Sequence, residues 1–129
     1  MAVTVLDASV VIAFLDANDA HHSAAVEAIG NASRQALVLP ASAYAETLVD
    51  PWRAGAEAIT LVKRFLAELG IRIEPLTAEI AERAARLRSI HRGLRLPDAL
   101  VLATADVLDA TVLTADRAWP RISRRARLV

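Results

Sequence analysis

Cysteine is absent from the sequence, which excludes disulfide bonds and cysteine-ligated zinc and fits a reducing compartment. Only four glycines occur, and none belongs to a glycine-rich phosphate-binding loop. No apolar run approaches the roughly 20 residues that cross a bilayer, and no basic segment before an apolar stretch marks a signal peptide. Together with the length of 129 residues, these absences predict one cytoplasmic domain, residues 1–129, that does not associate with a membrane.

The formal net charge is zero, so the chain lacks the overall basic excess typical of nucleic-acid-binding proteins. The charges are nevertheless unevenly distributed, because two arginine-rich segments, residues 83–97 and 117–129, contain no acidic residue. Arginine forms bidentate contacts with phosphate. The candidate phosphate-binding side chains are Arg86, Arg92, Arg95 and Arg117. The alternative is that these arginines lie on ordinary solvated helix faces.

Short β-branched runs alternate along the chain with longer segments of helical periodicity. The predicted strands are Val3–Leu6, Ala36–Leu39, Ile71–Glu74, Thr111–Leu113 and a final one near Arg127–Val129. The predicted helices are Val10–Leu15, His22–Ala32, Ala41–Val49, Ala54–Leu69, Ala78–His91 and Asp98–Leu108. This alternation predicts an α/β fold, a three-layer α/β/α domain with a mainly parallel central sheet.

Four acidic residues, here called the four acids, stand in distinctive apolar settings: Asp7, Glu46, Asp98 and Asp116. Asp7 and Asp116 each follow a predicted strand, and parallel sheets place ligands at the carboxyl ends of their strands. Unpaired carboxylates are costly in apolar surroundings, so a cluster of them indicates a bound cation. Hard divalent cations such as Mg²⁺ prefer carboxylate oxygen.

Each acid also has a plainer interpretation, since aspartates cap helices and Glu46 fits a helix surface. Two small hydroxyls strengthen the joint pattern, because Ser9 follows Asp7 by two residues and Thr114 precedes Asp116 by two. Hydroxyls in such positions orient a carboxylate or hold a metal-bound water, which is a supporting role.

Four motifs in this order resemble a PIN domain and, more narrowly, the VapC-type toxin ribonucleases of toxin–antitoxin modules. They are Asp7-Ala8-Ser9 after the first strand, the mid-chain Glu46, the run Leu96–Ala105 and the run Leu113–Trp119. The resemblance covers nearly the whole chain. It implies a PIN-like nuclease domain that cleaves RNA with Mg²⁺ or Mn²⁺.

The resemblance also implies roles for the residues that match the motifs. The four acids would be catalytic, with Asp7, Asp98 and Asp116 as metal ligands and Glu46 positioning or deprotonating the nucleophile. Ser9 and Thr114 would support them. Some family members carry a further acid beside the last motif, whereas Arg117 stands there in this chain, so one and two metal ions both remain open.

The predicted function is therefore a metal-dependent endoribonuclease, the toxin of a type II toxin–antitoxin system, with RNA, a cognate antitoxin and a second copy of the chain as partners. An apolar content of 55% and the segments Val10–Leu15 and Trp52–Leu69 favour the homodimer. Two alternatives stay open: an RNA-processing PIN nuclease without an antitoxin, and a catalytically silent interaction module.

Overall fold

The computed structural model describes residues 2–129 as alternating strands and helices. In chain order the elements are β1 (Val3–Leu6), α1 (Ala8–Leu15), α2 (His22–Asn31), β2 (Ala36–Pro40), α3 (Ala41–Ala54), α4 (Ala56–Glu68), β3 (Arg72–Glu74), α5 (Ala78–Ile90), α6 (Leu96–Leu108), β4 (Thr111–Thr114), α7 (Trp119–Ile122) and β5 (Ala126–Leu128). All five predicted strands are present, and their bounds differ from the prediction by one residue at most.

The strands form one sheet in the order β3-β2-β1-β4-β5, and all four neighbouring pairs are parallel. Helices cover the sheet, which confirms the predicted three-layer α/β/α architecture. The order reverses between β1 and β4, because the chain leaves β1 towards β2 and β3 and later returns to β4 on the other side. Such a reversal opens a crevice at the carboxyl ends of the two strands, where ligands bind in open α/β sheets.

The central strands are almost wholly buried because they are covered on both faces. Val5, Leu6, Val38, Leu39 and Val112 have no exposed surface. Continuous apolar runs are typical of parallel strands in this position. Helix α6 also packs on the sheet, since it contacts β1, β2 and β4 and buries Leu102 and Ala105. This packing fixes the start of α6 near the end of β1.

Capping residues fix the start of α5 and the end of α4. The Thr77 hydroxyl accepts a hydrogen bond from the Ile80 amide at 3.2 Å, which starts α5. Gly70 ends α4 in the left-handed region, at φ +65°, where glycine has no steric penalty.

The prediction that a helix ends at Asp50, beside Pro51, is wrong. Helix α3 continues through Pro51 to Ala54, and the Gly55 amide donates to the Pro51 carbonyl at 3.0 Å. A proline inside a helix removes one backbone hydrogen bond. Helix α3 as a whole packs against α4 and the sheet, whereas residues 52–54 of its last turn are exposed.

An ion-pair cluster ties α5, α6 and the segment before β5 together. Asp106 accepts from Arg83 Nε at 2.7 Å and from Arg125 Nε at 3.1 Å, and Arg125 Nη1 also donates to Asp109 at 2.8 Å. Arg83 and Arg125 therefore have a structural role. No helix among residues 2–129 is long and apolar enough to cross a membrane.

Candidate functional site

The four acids meet around the crevice between β1 and β4. Asp7 follows β1 directly, Asp116 follows β4 by two residues, Glu46 lies on α3 beyond the end of β2, and Asp98 lies in the first turn of α6. Their carboxylates repel one another electrostatically. The charge of Asp98 acts on Asp7, and the charges of Asp7 and Asp98 act on Glu46. Asp116 in turn acts on Asp98. The acids that were predicted to converge are therefore neighbours.

Asp7 is the most buried of the four acids, with 8% of its surface exposed. Its Oδ2 atom accepts two hydrogen bonds, from Ser9 Oγ at 2.7 Å and from Thr114 Oγ1 at 3.1 Å. Although Asp7 precedes α1, its side chain makes no capping hydrogen bond. Both donors act on the same oxygen, Oδ2, which leaves Oδ1 outside these two hydrogen bonds.

The two hydroxyls also connect the ends of β1 and β4. Ser9 Oγ accepts from the Ala115 amide at 3.1 Å, and Thr114 Oγ1 accepts from the Asp116 amide at 3.0 Å. Each hydroxyl therefore links Asp7 to the chain that leads into Asp116. Thr114 was predicted to act beside Asp116, whereas its hydroxyl donates to Asp7; the supporting role of Ser9 and Thr114 stays a prediction.

Asp116 has a different environment because it is exposed on a turn. Its Oδ1 accepts from the Ala118 amide at 2.9 Å, which resembles the capping role considered for this residue. The second oxygen of Asp116 is not engaged in that bond. Asp116 can therefore be held by the turn and still present an oxygen to the crevice.

Burial raises the pKa of Asp7 above its ordinary value, and hydrogen bonds from Ser9 and Thr114 partly offset this increase. Burial also raises the pKa of Asp98, with Arg95 opposing and Asp116 adding to the effect. Each raised pKa reflects the cost of placing negative charge in a partly desolvated site. A divalent cation would remove that cost.

The pKa of Glu46 is raised as well, by partial burial and then by the Asp7 and Asp98 carboxylates, while Arg95 lowers it. Glu46 is largely exposed on α3, so solvent limits the effect of burial, and the two neighbouring carboxylates sustain the increase in pKa. A carboxylate whose pKa is raised towards neutrality is a better proton acceptor at neutral pH.

The donor set fits a hard divalent cation, because it consists of carboxylate and hydroxyl oxygens. Across residues 2–129, however, no three Asp, Glu or His side chains are already grouped tightly enough to enclose an ion. Like charges repel, so in the absence of a cation the carboxylates stay apart and would have to move closer together to share one. The chemistry of the residues fits a metal, and the metal site itself stays a prediction.

The predicted phosphate-binding arginines lie in different places. Arg92 and Arg95 line a groove of about 510 Å³ together with Asp98 and Asp116, and Arg95 Nε is 3.8 Å from Asp98 Oδ2. Arg117 is exposed beside Asp116. Arg86 lines a separate cavity of about 520 Å³ with the ion-pair cluster of Arg83, Asp106 and Arg125. The sequence did not indicate that Leu94, Trp119 and Ile122 also line the groove beside the acids.

Replacing Thr114 by valine tests whether this hydroxyl orients Asp7. The change keeps the side-chain shape but removes one donor to Asp7 and one acceptor for the Asp116 amide. We expect a loss of about 1–3 kcal/mol of stability, since buried polar groups lose their partners. The pKa of Asp7 should rise further, because a hydrogen bond to its charged form is lost.

Urea unfolding and NMR titration of the carboxyl carbons measure these two effects. Thr104→Val is the matched control, because Thr104 is equally buried but its hydroxyl donates to Leu100 within the same helix. The control should leave the Asp7 titration unchanged. An unaltered Asp7 titration in Thr114→Val would show that the hydroxyl does not act on the carboxylate.

A parallel α/β/α sheet with acids at its topological reversal defines a class of α/β domains with a ligand crevice at the strand ends, and comparison with known families then identifies the family. The sequence model of the PIN domain family matches residues 4–125, so the chain belongs to the PIN domain family. No curated protein sequence matches the chain.

Solved structures with the same fold come from several bacteria. The chain is similar to VapBC2 from Rickettsia felis, bound to a DNA fragment from its promoter, with 13% identity, a TM-score of 0.79 and coverage of 98% of this chain and 97% of that one. It is also similar to VapC20 from Mycobacterium tuberculosis, a sarcin-ricin loop cleaving toxin, with 20% identity, a TM-score of 0.73 and coverage of 92% and 93%. A toxin–antitoxin complex from Klebsiella pneumoniae matches with 25% identity, a TM-score of 0.63 and coverage of 88% and 86%.

Proposed function

We propose that the protein is a metal-dependent endoribonuclease and the toxin of a type II toxin–antitoxin pair. The observation that carries the proposal is the meeting of the four acids at the crevice between β1 and β4. The PIN family membership and the toxin structures of the same fold support it.

In this proposal Asp7, Asp98 and Asp116 hold Mg²⁺ or Mn²⁺. When bound, such an ion supplies Lewis-acid polarisation of the scissile phosphate and lowers the pKa of a coordinated water. Ser9 and Thr114 hold Asp7 so that its Oδ1 faces the crevice. Glu46 orients the attacking water and takes its proton, a role suited to a carboxylate whose pKa is raised.

The RNA backbone needs cations, because the four acids repel phosphate. Arg92, Arg95 and Arg117 are the proposed contacts nearest to the acids. Arg86 lies with the ion-pair cluster and would contact the backbone farther along the RNA. Each such contact adds to the salt dependence of binding.

A second copy of the chain and an antitoxin are the proposed protein partners. Trp52 is 67% exposed, and Val49 precedes it by three residues on the same face of α3, so Trp52 is not a core residue. Leu61 on α4 is also exposed. Exposed apolar side chains of this kind mark interfaces, and tryptophan is enriched at their centres.

The Klebsiella structure, a toxin–antitoxin complex, supports an antitoxin for this chain too. An antitoxin arginine inserted among the four acids would replace the charge of the metal.

RNA cleavage by the purified chain, with Mg²⁺ and then with EDTA, tests the enzymatic part of the proposal. We expect cleavage that requires the metal, and we expect induced expression to stop bacterial growth. Co-expression of the adjacent reading frame should restore growth and yield a co-purifying complex. An absence of cleavage would favour the silent interaction module. Cleavage without growth arrest or a partner would favour the RNA-processing alternative.

A further inference from the structure

The groove of about 510 Å³ beside the acids has an apolar interior and a cationic rim. Its interior is formed by Leu94 from the α5–α6 loop and by Trp119 and Ile122 from α7. Arg92 and Arg95 stand on the rim, and Asp98 and Asp116 close the end that faces the crevice. The volume lies within the roughly 300–1,000 Å³ usual for small-molecule sites.

We propose that this groove receives a nucleobase of the RNA, next to the phosphodiester at the four acids. The inference rests on the proposed ribonuclease function and adds a base-binding subsite to it. A base has two apolar faces and a polar edge, and proteins hold single-stranded bases between apolar, aromatic and guanidinium groups. An apolar interior with two arginines at the rim matches that chemistry, since arginine also stacks on flat π systems.

The walls of the groove are fixed before any ligand arrives. Arg88 Nε donates to the Leu94 carbonyl at 3.0 Å, and the Leu94 amide donates to the His91 carbonyl at 3.1 Å, which holds the α5–α6 loop. On the other side the Ser123 amide donates to the Trp119 carbonyl at 2.9 Å. A preformed groove binds a flat ligand without the entropy cost of ordering its walls.

Trp119 also leaves a polar group in need of a partner. The residue is 1% exposed, and its buried Nε1 has no acceptor among the residues that the structure describes. Buried donors are normally hydrogen-bonded. Because this atom is buried, Trp119 belongs to the wall of the groove, and its indole N–H reports on the groove as a neighbour of the occupant without contacting it.

The chain contains two tryptophans, so its two indole N–H signals provide an NMR test with an internal reference. Adenosine, guanosine, cytidine and uridine are titrated separately into the ¹⁵N-labelled full chain in EDTA, with ribose as the control ligand. Uncharged nucleosides avoid repulsion by the acids. We expect at least one nucleoside to shift the Trp119 signal saturably, while Trp52, which does not line the groove, stays unshifted. Ribose should shift neither signal.

Gly93→Phe provides the variant test, because a side chain at Gly93 would enter open space on the groove without backbone strain. This variant should lose the Trp119 response. Gly30→Phe on the exposed surface of α2 is the matched control, since a side chain there also meets nothing, and it should keep the response. Equal shifts of both indoles, or none with any nucleoside, would overturn the subsite.

The wild-type titration also separates the subsite from the catalytic proposal. RNA cleavage without a Trp119 response would remove the subsite and leave the nuclease. A saturable Trp119 response in a chain that cleaves no RNA would keep the nucleobase site and remove the nuclease.

Discussion

Replacing Asp98 by asparagine is expected to lower Mg²⁺-dependent RNA cleavage by at least about 100-fold without unfolding the protein. Asp98 is a proposed metal ligand, and it lies in the first turn of a helix that packs on the sheet. An amide keeps the size of the side chain but removes the charge that a hard cation needs. Initial rates on a defined RNA, with Mg²⁺ in excess, measure the loss.

Asp50→Asn is the matched control for this change. Asp50 is exposed on α3 and forms only a surface ion pair with Arg53, which contributes little to stability. Its cleavage rate should equal that of the wild type. Full activity in Asp98→Asn would refute the assignment of this acid to the metal.

Magnesium should stabilise the wild-type protein but not the Asp7→Asn variant. A ligand present at 100 times its dissociation constant adds about 2.7 kcal/mol to the free energy of unfolding, or about 10 °C in Tm for a chain of this size. In the proposed metal site Asp7 would offer Oδ1 to the cation, because Oδ2 already accepts two hydroxyl hydrogen bonds. In Asp7→Asn the oxygen accepts those hydroxyl bonds and the amide nitrogen faces the crevice, which disfavours a cation.

The same variant should be at least as stable as the wild type when metal is removed at neutral pH. Burial raises the pKa of Asp7 above 3.8, so between 3.8 and the raised value the folded state binds more protons than the unfolded state. The stability of the metal-free wild type therefore falls as the pH rises through this window. Asparagine does not titrate, so its advantage should be greatest at neutral pH and vanish as the pH approaches 3.8.

Thermal unfolding in EDTA and in Mg²⁺, over a pH series, measures both effects. Asp50→Asn again provides the reference, because its carboxylate is exposed and should not change the response to Mg²⁺. Equal stabilisation of Asp7→Asn and wild type by Mg²⁺ would place the cation elsewhere.

The strands and most helices were predictable because their signals are local. Buried parallel strands need β-branched apolar runs, and such a run forms each of the central strands β1, β2 and β4. Helix α3 beyond Pro51 was not predictable, since proline locally favours the end of a helix and the chain here continues through it. Helix α7 has only four residues, too few for a periodic pattern.

The acids of the candidate site were predictable for a related reason. Asp7 and Asp116 follow strands, and strand ends in a parallel sheet share one edge. The direction of the Ser9 and Thr114 hydroxyls towards one oxygen of Asp7 depends on contacts across the sheet. The groove combines the α5–α6 loop with α7, so no single stretch of sequence displays it.

The pairing of β1 with β4 also determines how much of the chain must be translated before the surroundings of Asp7 can form. Asp7 is made well before its partner Thr114, which lies 107 positions later in the chain. Contacts of such long sequence separation form late, and an emerging chain folds from its N-terminal end. A nascent chain that stops before residue 114 carries Asp7, Glu46 and Asp98 but lacks the strand that aligns them. Interrupted translation before residue 114 therefore yields fragments in which Asp7 lacks both its hydrogen bond from Thr114 and the strand that pairs with β1.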